Sequence, residues 1–463
     1  MLFDTCIRNG TVVSAAESFR ADVGILGGRV VSVGCDLGPA AREIDALGLL
    51  VMPGGIDAHC HIEEPAYQGA VLADDFASAT RAAACGGTTT IIPFVNRLTN
   101  ASLRASAEDY TARADARACI DYAFHIILDQ GSLPYLEQEL PKLMQEGYLS
   151  VKVFMNYPGY MLGDDSILKV MDITRRHGGV TLVHAENGHC VHWLANSLDP
   201  AKKSRISSFA CTSPTAVERE ATHRALTLAQ ISGARTLLVH VSAAEAAEQI
   251  RWARGRGIPI LAETCPQYLV GTINDLDTPG WEAAKFLCSP PLRSQADVDA
   301  IWGDLANGVF QIVSSDHCPY RFEGTSGKRA GGDLDFTHIP PGLPGLETRL
   351  VLLFSEGVST GRITPEQFVA MTATNPARIY GLLPHKGTVM PGADADIVLW
   401  DPKATTVIRH ADLHDDCDYT PYEGRVVTGL PVMTFSRGEC LWNRGRFAAT
   451  PGRGRLAERT PSP

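Results

Sequence analysis

The sequence predicts an α/β protein: a (β/α)8 TIM-like barrel with a second, small β-sandwich domain built from both termini. Three observations carry that prediction. Eight apolar runs recur through the middle of the chain, with helical stretches between them. Short alternating strands and tight turns occupy both ends. Residues able to bind metal collect at the C-terminal ends of the middle runs, the face where such barrels carry their chemistry. An open, doubly wound sheet is the competing arrangement. The count of eight and the clustering of polar residues favour the barrel.

Taken in order, residues 1–52 read as the N-terminal segment of the sandwich. TCIRNGTVV, ADVGILGG and RVVSVG alternate apolar and polar positions and are separated by Asn-Gly and Gly-Gly. The barrel is expected over 53–384. Its strands are read in 49–61, 88–94, 121–128, 148–155, 180–186, 235–242, 258–264 and 310–317. Helices are read in FASATRAAACGG, LKVMDITRRHGG and AVEREATHRALTLAQISG, the last with apolar residues at 217, 221, 225, 228 and 229. The Gly- and Pro-rich stretch 324–345 follows the eighth run and reads as a long active-site loop. The C-terminal segment of the sandwich is expected over 385–448, where GADADIVLWD and RVVTGLPVMTFSRGECLWNRGRF repeat the strand pattern. Residues 449–463 are polar and read as an extended or flexible tail.

Bulk composition narrows the function classes. The 463 residues are 45% apolar and 20% charged, enough for one large core and a smaller unit. The net charge of −11 is spread along the chain with no basic stripe, which argues against nucleic acid or anionic membrane partners. Twelve cysteines are scattered without a C-x-x-C pair. Cys85, Cys190, Cys265, Cys288 and Cys318 lie in or beside apolar runs, which fits reduced, mostly buried thiols in the cytoplasm. MLFDTCIRNG lacks the charge pattern and apolar stretch of a signal peptide, and no apolar run reaches membrane-spanning length.

The chemistry gathers at strand ends. His59 and His61 end the first run, His184 the fifth, His240 the sixth and Asp316 the eighth, while Lys152 lies on the fourth. A single strand-end histidine is ordinarily a hydrogen-bonded structural group. Four histidines and an aspartate at one end of a barrel form a ligand set. Residues two apart on a strand face the same way, so His59 and His61 can reach one cation while Cys60 points into the core. Lys152 lies among Val151, Val153, Phe154 and Met155, where an unpaired ammonium is costly. The ordinary explanation is a snorkelling or acid-paired lysine. Beside four imidazoles another explanation is stronger. Burial frees the amine, which adds carbon dioxide and becomes a carbamate, an anionic oxygen ligand able to bridge two divalent metals ~3.5–4 Å apart.

With these residues in view, the chain resembles the cyclic amidohydrolases, and among them the hydantoinase and dihydropyrimidinase branch. The resemblance runs through MPGGIDAHCH, GGTTTIIPF, SVKVFMNY, HAEN, HVS, AETCPQYL, CSPPLR, SSDHCP, GLPGLETRL and GTVMPGADADIVLWDP, nearly the whole length. It implies that His59, His61 and Asp316 bind the more buried of two zinc ions and His184 and His240 the other. Carboxylated Lys152 and a hydroxide would bridge the pair. The hydroxide would attack a cyclic amide carbonyl, opening hydantoin or 5,6-dihydropyrimidine rings to N-carbamoyl amino acids. The oxyanion would be held by metal and by Tyr157, whose alternative role is packing at the barrel mouth. Asp316 would shuttle the proton to the leaving nitrogen. Ser289 and the backbone at Pro341 would bind the imide or ureido edge. A homodimer or homotetramer is implied as well.

Departures from the resemblance carry information. Dihydroorotases read H-x-H-x-R-E-P, whereas HCHIEEP places Glu63 at the arginine position, which is expected to repel a substrate carboxylate. Pro341 stands where relatives often carry Asn; it still offers a carbonyl but no N–H. Allantoinases and other cyclic imide or ureide hydrolases remain alternatives. A non-catalytic scaffold of the same fold is disfavoured by the complete ligand set. His189 and His192 are expected on a helix surface, and His317 on the face opposite Asp316 as a partner behind the ligands. Glu63, Glu64 and Tyr67 are expected to line the pocket mouth.

Overall fold

A computed structural model describes residues 2–461. Met1 of the expected N-terminal sandwich segment and Ser462 and Pro463 of the expected tail lie outside the described residues. The barrel is present. Its parallel staves are Gly55–Cys60, Thr88–Val95, a third broken into Asp121–Tyr122 and His125–Ile127, then Ser150–Phe154, Val180–His184, Thr236–Leu238, Ile260–Thr264 and Ile312–Val313. The last stave is short, and the seam closes just beyond it. His61 N donates to His317 O at 2.7 Å and Asp316 N to His59 O at 2.9 Å, with a parallel bridge between Cys60 and His317. This closure excludes the open sheet. It also places the two ends of the chain's metal-capable set, His59/His61 and Asp316, side by side.

The run at 49–61 is two strands rather than one. Leu50–Pro53 joins the terminal sheets, pairing antiparallel with Ile397–Val407 and parallel with Thr11–Val13. The barrel stave starts at Gly55. The passage runs through Gly54, where a Cβ would lie 2.2 Å from Thr89 Oγ1, so only glycine lets the Thr89 side chain pack this closely on the backbone. The terminal segments form a four-stranded and a seven-stranded sheet. Ile7, Val23, Ile25, Val51, Ile397 and Phe435 lie within the apolar core associated with these sheets.

The helix at Thr215–Ser232 buries Val217, Ala221, Ala225, Leu228 and Ala229, the positions its periodicity marks, and ends at Gly233 with a left-handed φ of 65°. Cys190 is exposed, contrary to its apolar neighbourhood, because helix Gly188–Ser197 buries only its first residue. All twelve cysteines are free. No helix of the described residues is long and apolar enough to cross a membrane.

The tail differs from expectation. It is extended, but docked rather than loose. Tyr122 N donates to Arg455 O, Ala457 N to Tyr122 O and Thr460 N to Gly381 O, at 2.7–3.0 Å. Arg459 is buried beneath the barrel. Backbone pairing with Tyr122 and Gly381 satisfies groups that a polar composition alone leaves unassigned. Close by, Lys386 bonds Asp121, Asp394 and Asp396 at 2.5–3.0 Å, tying the barrel floor to the sandwich.

Candidate active site

One cavity at the C-terminal end of the barrel is lined by His59, His61, Lys152, His184, His240 and Asp316. Tyr157, Ser289 and Pro341 also line it. His184 is the last residue of its strand; His240 and Asp316 lie two and three residues past theirs. Leaving the strand takes unusual backbone: φ is 39° at His240, 51° at Asp316 and 63° at Tyr157. Three non-glycine residues in the left-handed region around one cavity are a local cost that the surrounding fold supports.

His59, His61 and Asp316 present ligand atoms within 4.8 Å of one another. Asp316 Oδ1 is 3.1 Å from His59 Nε2 and 3.4 Å from His61 Nε2. The His184 and His240 rings are 4.5 Å apart, and His240 is 5.4 Å from His59. Each of three imidazoles is held by a carboxylate on its other nitrogen. His59 Nδ1 meets Glu263 at 2.7 Å, His61 Nδ1 meets Glu64 at 2.6 Å, and His184 Nε2 meets Glu186 at 2.7 Å. Such a partner fixes ring orientation and leaves one nitrogen for another ligand. His59 Nε2 and His240 Nδ1 are buried and form no hydrogen bond. A buried polar atom without a partner is costly, and a cation in the cavity would answer that cost. The donor set therefore fits divalent metal.

Charge balance points the same way. Burial alone would raise the Asp316 carboxyl, but His59, His61 and His240 hold it well below the usual range. Burial opposes charge on His61, yet Glu64 and Asp316 outweigh it and raise that ring to about 9. Lys152 is 1% exposed. Its ammonium lies 5.1 Å from the ring centres of Phe94 and Phe154 and has no bonded carboxylate among the described residues. Burial lowers it to about 8, against the pull of Asp316 and Glu263. Burial, with Glu186 and Tyr67, pushes the Tyr157 phenol well above its ordinary range, so it keeps its proton.

Glu64 and Tyr67 line the mouth, as expected; Glu63 does not. It turns outward, accepting from Phe76 N at 3.0 Å and pairing with Arg117 at 2.9 Å. A left-handed turn at Glu63 (φ 50°) and the helix beginning at Phe76 provide that outward site. Glu63 is therefore not placed to repel a substrate carboxylate. What remains against such a substrate is the absence of arginine among the lining residues. His189 is exposed and His192 half-buried on their helix, outside the cavity. The His317 ring faces away from Asp316, but its partners are Asp74 and the amides of Gly345 and Leu346 rather than a candidate ligand.

Glu186 and Glu263 have no assigned role in the sequence reading, although the signal is there. Glu263 interrupts the apolar strand ILAET just as Lys152 interrupts SVKVF. Burial would raise the Glu186 carboxyl, but His184 and Ser213 bring it to about 2. Glu186 also accepts from Ser289 Oγ at 2.9 Å, linking a candidate ligand to a candidate substrate contact.

The chain is similar to known proteins over nearly its whole length. The amidohydrolase family model matches residues 50–441. The chain is 43% identical over 457 residues to a D-hydantoinase of Ralstonia pickettii, covering 98% of this chain and 99% of that one. It is 42% identical over 457 residues to a D-hydantoinase of Rhizobium radiobacter, again at 98% and 99% coverage. The crystal structure of a dihydropyrimidinase from Brevibacillus agri superposes with a TM-score of 0.95 at 40% identity, covering 99% of each chain.

Proposed function

This chain belongs to the amidohydrolase family, as a hydantoinase or dihydropyrimidinase that hydrolyses a cyclic amide, and from that premise we propose how its residues open the ring. His59, His61 and Asp316 would hold one divalent cation and His184 and His240 a second, with carboxylated Lys152 as a further anionic ligand. The buried His59 Nε2 and His240 Nδ1, which form no hydrogen bond although Asp316 stands 3.1 Å from the first, are the observation that carries this reading. Imidazole and oxygen donors suit zinc. Once bound, the two cations supply Lewis acidity and a nucleophilic hydroxide at neutral pH.

The chain's own groups do the rest. Lys152, free of any carboxylate, gives up two protons to water: one as the ammonium becomes an amine, the second as that nitrogen bonds the carbon of carbon dioxide and becomes the anionic carbamate. Asp316 Oδ1 faces both histidines, which leaves Oδ2 to take the nucleophile's proton and return it to the departing ring nitrogen. The Tyr157 phenol donates to the carbonyl oxygen as it becomes an oxyanion. Ser289 Oγ gives its proton to Glu186, so it meets the substrate as an acceptor for ring N–H. The Pro341 carbonyl accepts a second.

The names D-hydantoinase and D-phenylhydantoinase among the relatives support a hydantoin of D configuration as the substrate of this chain. Free thiols throughout support a reducing, cytoplasmic setting. A homodimer or homotetramer belongs to the same proposal and rests on the family resemblance alone.

The test is a ring-opening assay on zinc-loaded protein with dihydrouracil, D- and L-5-phenylhydantoin, allantoin and dihydroorotate, with and without chelator. Opening of the D-hydantoin or dihydrouracil, abolished by chelator, is expected. Tyr157→Phe should lower kcat about 10²–10³-fold. Activity that survives complete metal removal would sink the reading.

A further inference from the structure

The docked tail brings a charged side chain to a place where the proposed chemistry makes no use of it. Arg459 is 7% exposed and has no carboxylate partner among the described residues. Its Nε donates to Tyr380 O at 2.7 Å, Nη1 to Phe124 O at 2.9 Å and Nη2 to Ser150 Oγ at 2.9 Å. A guanidinium only donates, so Ser150 Oγ accepts here and its own proton is free to give. That hydroxyl faces His125 Nδ1 at 2.5 Å. Nδ1 is then the acceptor, and Nε2 carries the ring hydrogen toward Ala58 O, 2.9 Å away. Ser150 and His125 are both fully buried.

The donors thus run in one direction, from Arg459 to the carbonyl one residue before His59. The first stave needs that support. Its pairing is irregular between Asp57 and Cys60, and Cys60 stands opposite Pro93, which has no N–H to give. Ser150 also shares a strand face with Lys152, two residues on.

We propose that Arg459 is a positioning residue for the metal site. The tail threads it into the N-terminal mouth of the barrel, and Ser150 and His125 carry its hold to the segment bearing His59. The inference rests on His59 being a metal ligand.

The test is a double-mutant cycle on full-length, zinc-loaded protein with Arg459→Met, Ser150→Ala and both together. It reads kcat, KM and the rate of zinc loss to a chelator. Each single change should lower kcat and speed zinc loss about tenfold, with KM within about twofold of wild type. Because the two residues act in series, the double variant should be no worse than the worse single one. Arg459→Lys should recover part of the loss, and it replaces Arg459→Met in the cycle if that variant does not fold. A lowered Tm with wild-type kcat and zinc retention would make Arg459 a mere staple and overturn the proposal. Fully additive effects would overturn it too. Zinc content of the wild type, measured first, separates the two readings. Without zinc the premise fails; with zinc and no coupling, only the Arg459 proposal fails.

Discussion

Glu64, Glu186 and Glu263 each grip an imidazole by the nitrogen turned away from the cavity. Their importance lies in what they do to the proton and the ring angle. In the metal-free protein His61, raised to about 9, is protonated at neutral pH despite its burial. A metal must displace that proton, so zinc affinity should rise with pH up to about 9. Glu64→Gln removes one cause of the raised value and one anchor of the ring. Its pH dependence should flatten, and its affinity at pH 9 should fall about 10–100-fold. Competition titrations against a chelator across pH 6–9 would show both effects; an unchanged slope would deny Glu64 this role. At this scale the sequence is readable where a residue contradicts its strand, as with Lys152 and the strand-end histidines. The supporting carboxylates are harder to assign, because which ring a glutamate reaches depends on pairing between strands. Glu63 and Glu64 are neighbours in sequence, yet they face opposite ways.

Among the elements, the loop 324–345, irregular but for a 3-10 turn at Phe336–His338, shows how such a segment is fixed. Lys328 is buried and donates to Ala284 O at 2.9 Å and Leu287 O at 3.2 Å, and burial lowers its ammonium to about 8. Gly342 N reaches the same Leu287 carbonyl at 2.9 Å. The two stretches so joined carry Ser289 and Pro341. Lys328→Met keeps the stem but leaves the Ala284 carbonyl with only the longer bond from Leu287 N at 3.3 Å and the Leu287 carbonyl with only Gly342 N, a loss of about 1–3 kcal/mol. KM for the ring substrate should rise about tenfold, with a smaller change in kcat, in steady-state assays. A lowered kcat at constant KM would count against this anchoring role. Apolar periodicity locates the helix at Thr215–Ser232 and all eight staves. It misses the break at Gly54 because both halves of that run are equally apolar, and only their pairing partners separate them.

For the molecule as a whole, the sandwich segment between its long strands reaches back to the barrel. Asp415 is carried there, close to Asp74, His317 and Glu347. Burial, then Asp74, raises its carboxyl to about 7. The folded state therefore keeps a proton that an unfolded aspartate loses near pH 4. Stability from this group falls as pH climbs from about 4 to about 7 and stays low above that. Asp415→Asn should raise Tm by about 1–2 °C at pH 8 and give no gain at pH 4 in scanning calorimetry. A gain of equal size at both would point to packing instead. Fold class is legible at this scale because strand count and strand-end chemistry agree. The docked tail is not, because polar residues that satisfy backbone groups look like residues that face water. The shared sheet has a consequence for synthesis. Thr11–Val13 and Leu50–Pro53 can pair as soon as they leave the ribosome, but the other flank of Leu50–Pro53 belongs to Ile397–Val407. Through translation of the whole barrel the nascent chain carries a half-made sheet with an open edge, the kind of surface that recruits the wrong strand. The protein's most exposed interval is thus the synthesis of the barrel between those two strands, and chaperone demand should fall once Ile397–Val407 has emerged and paired.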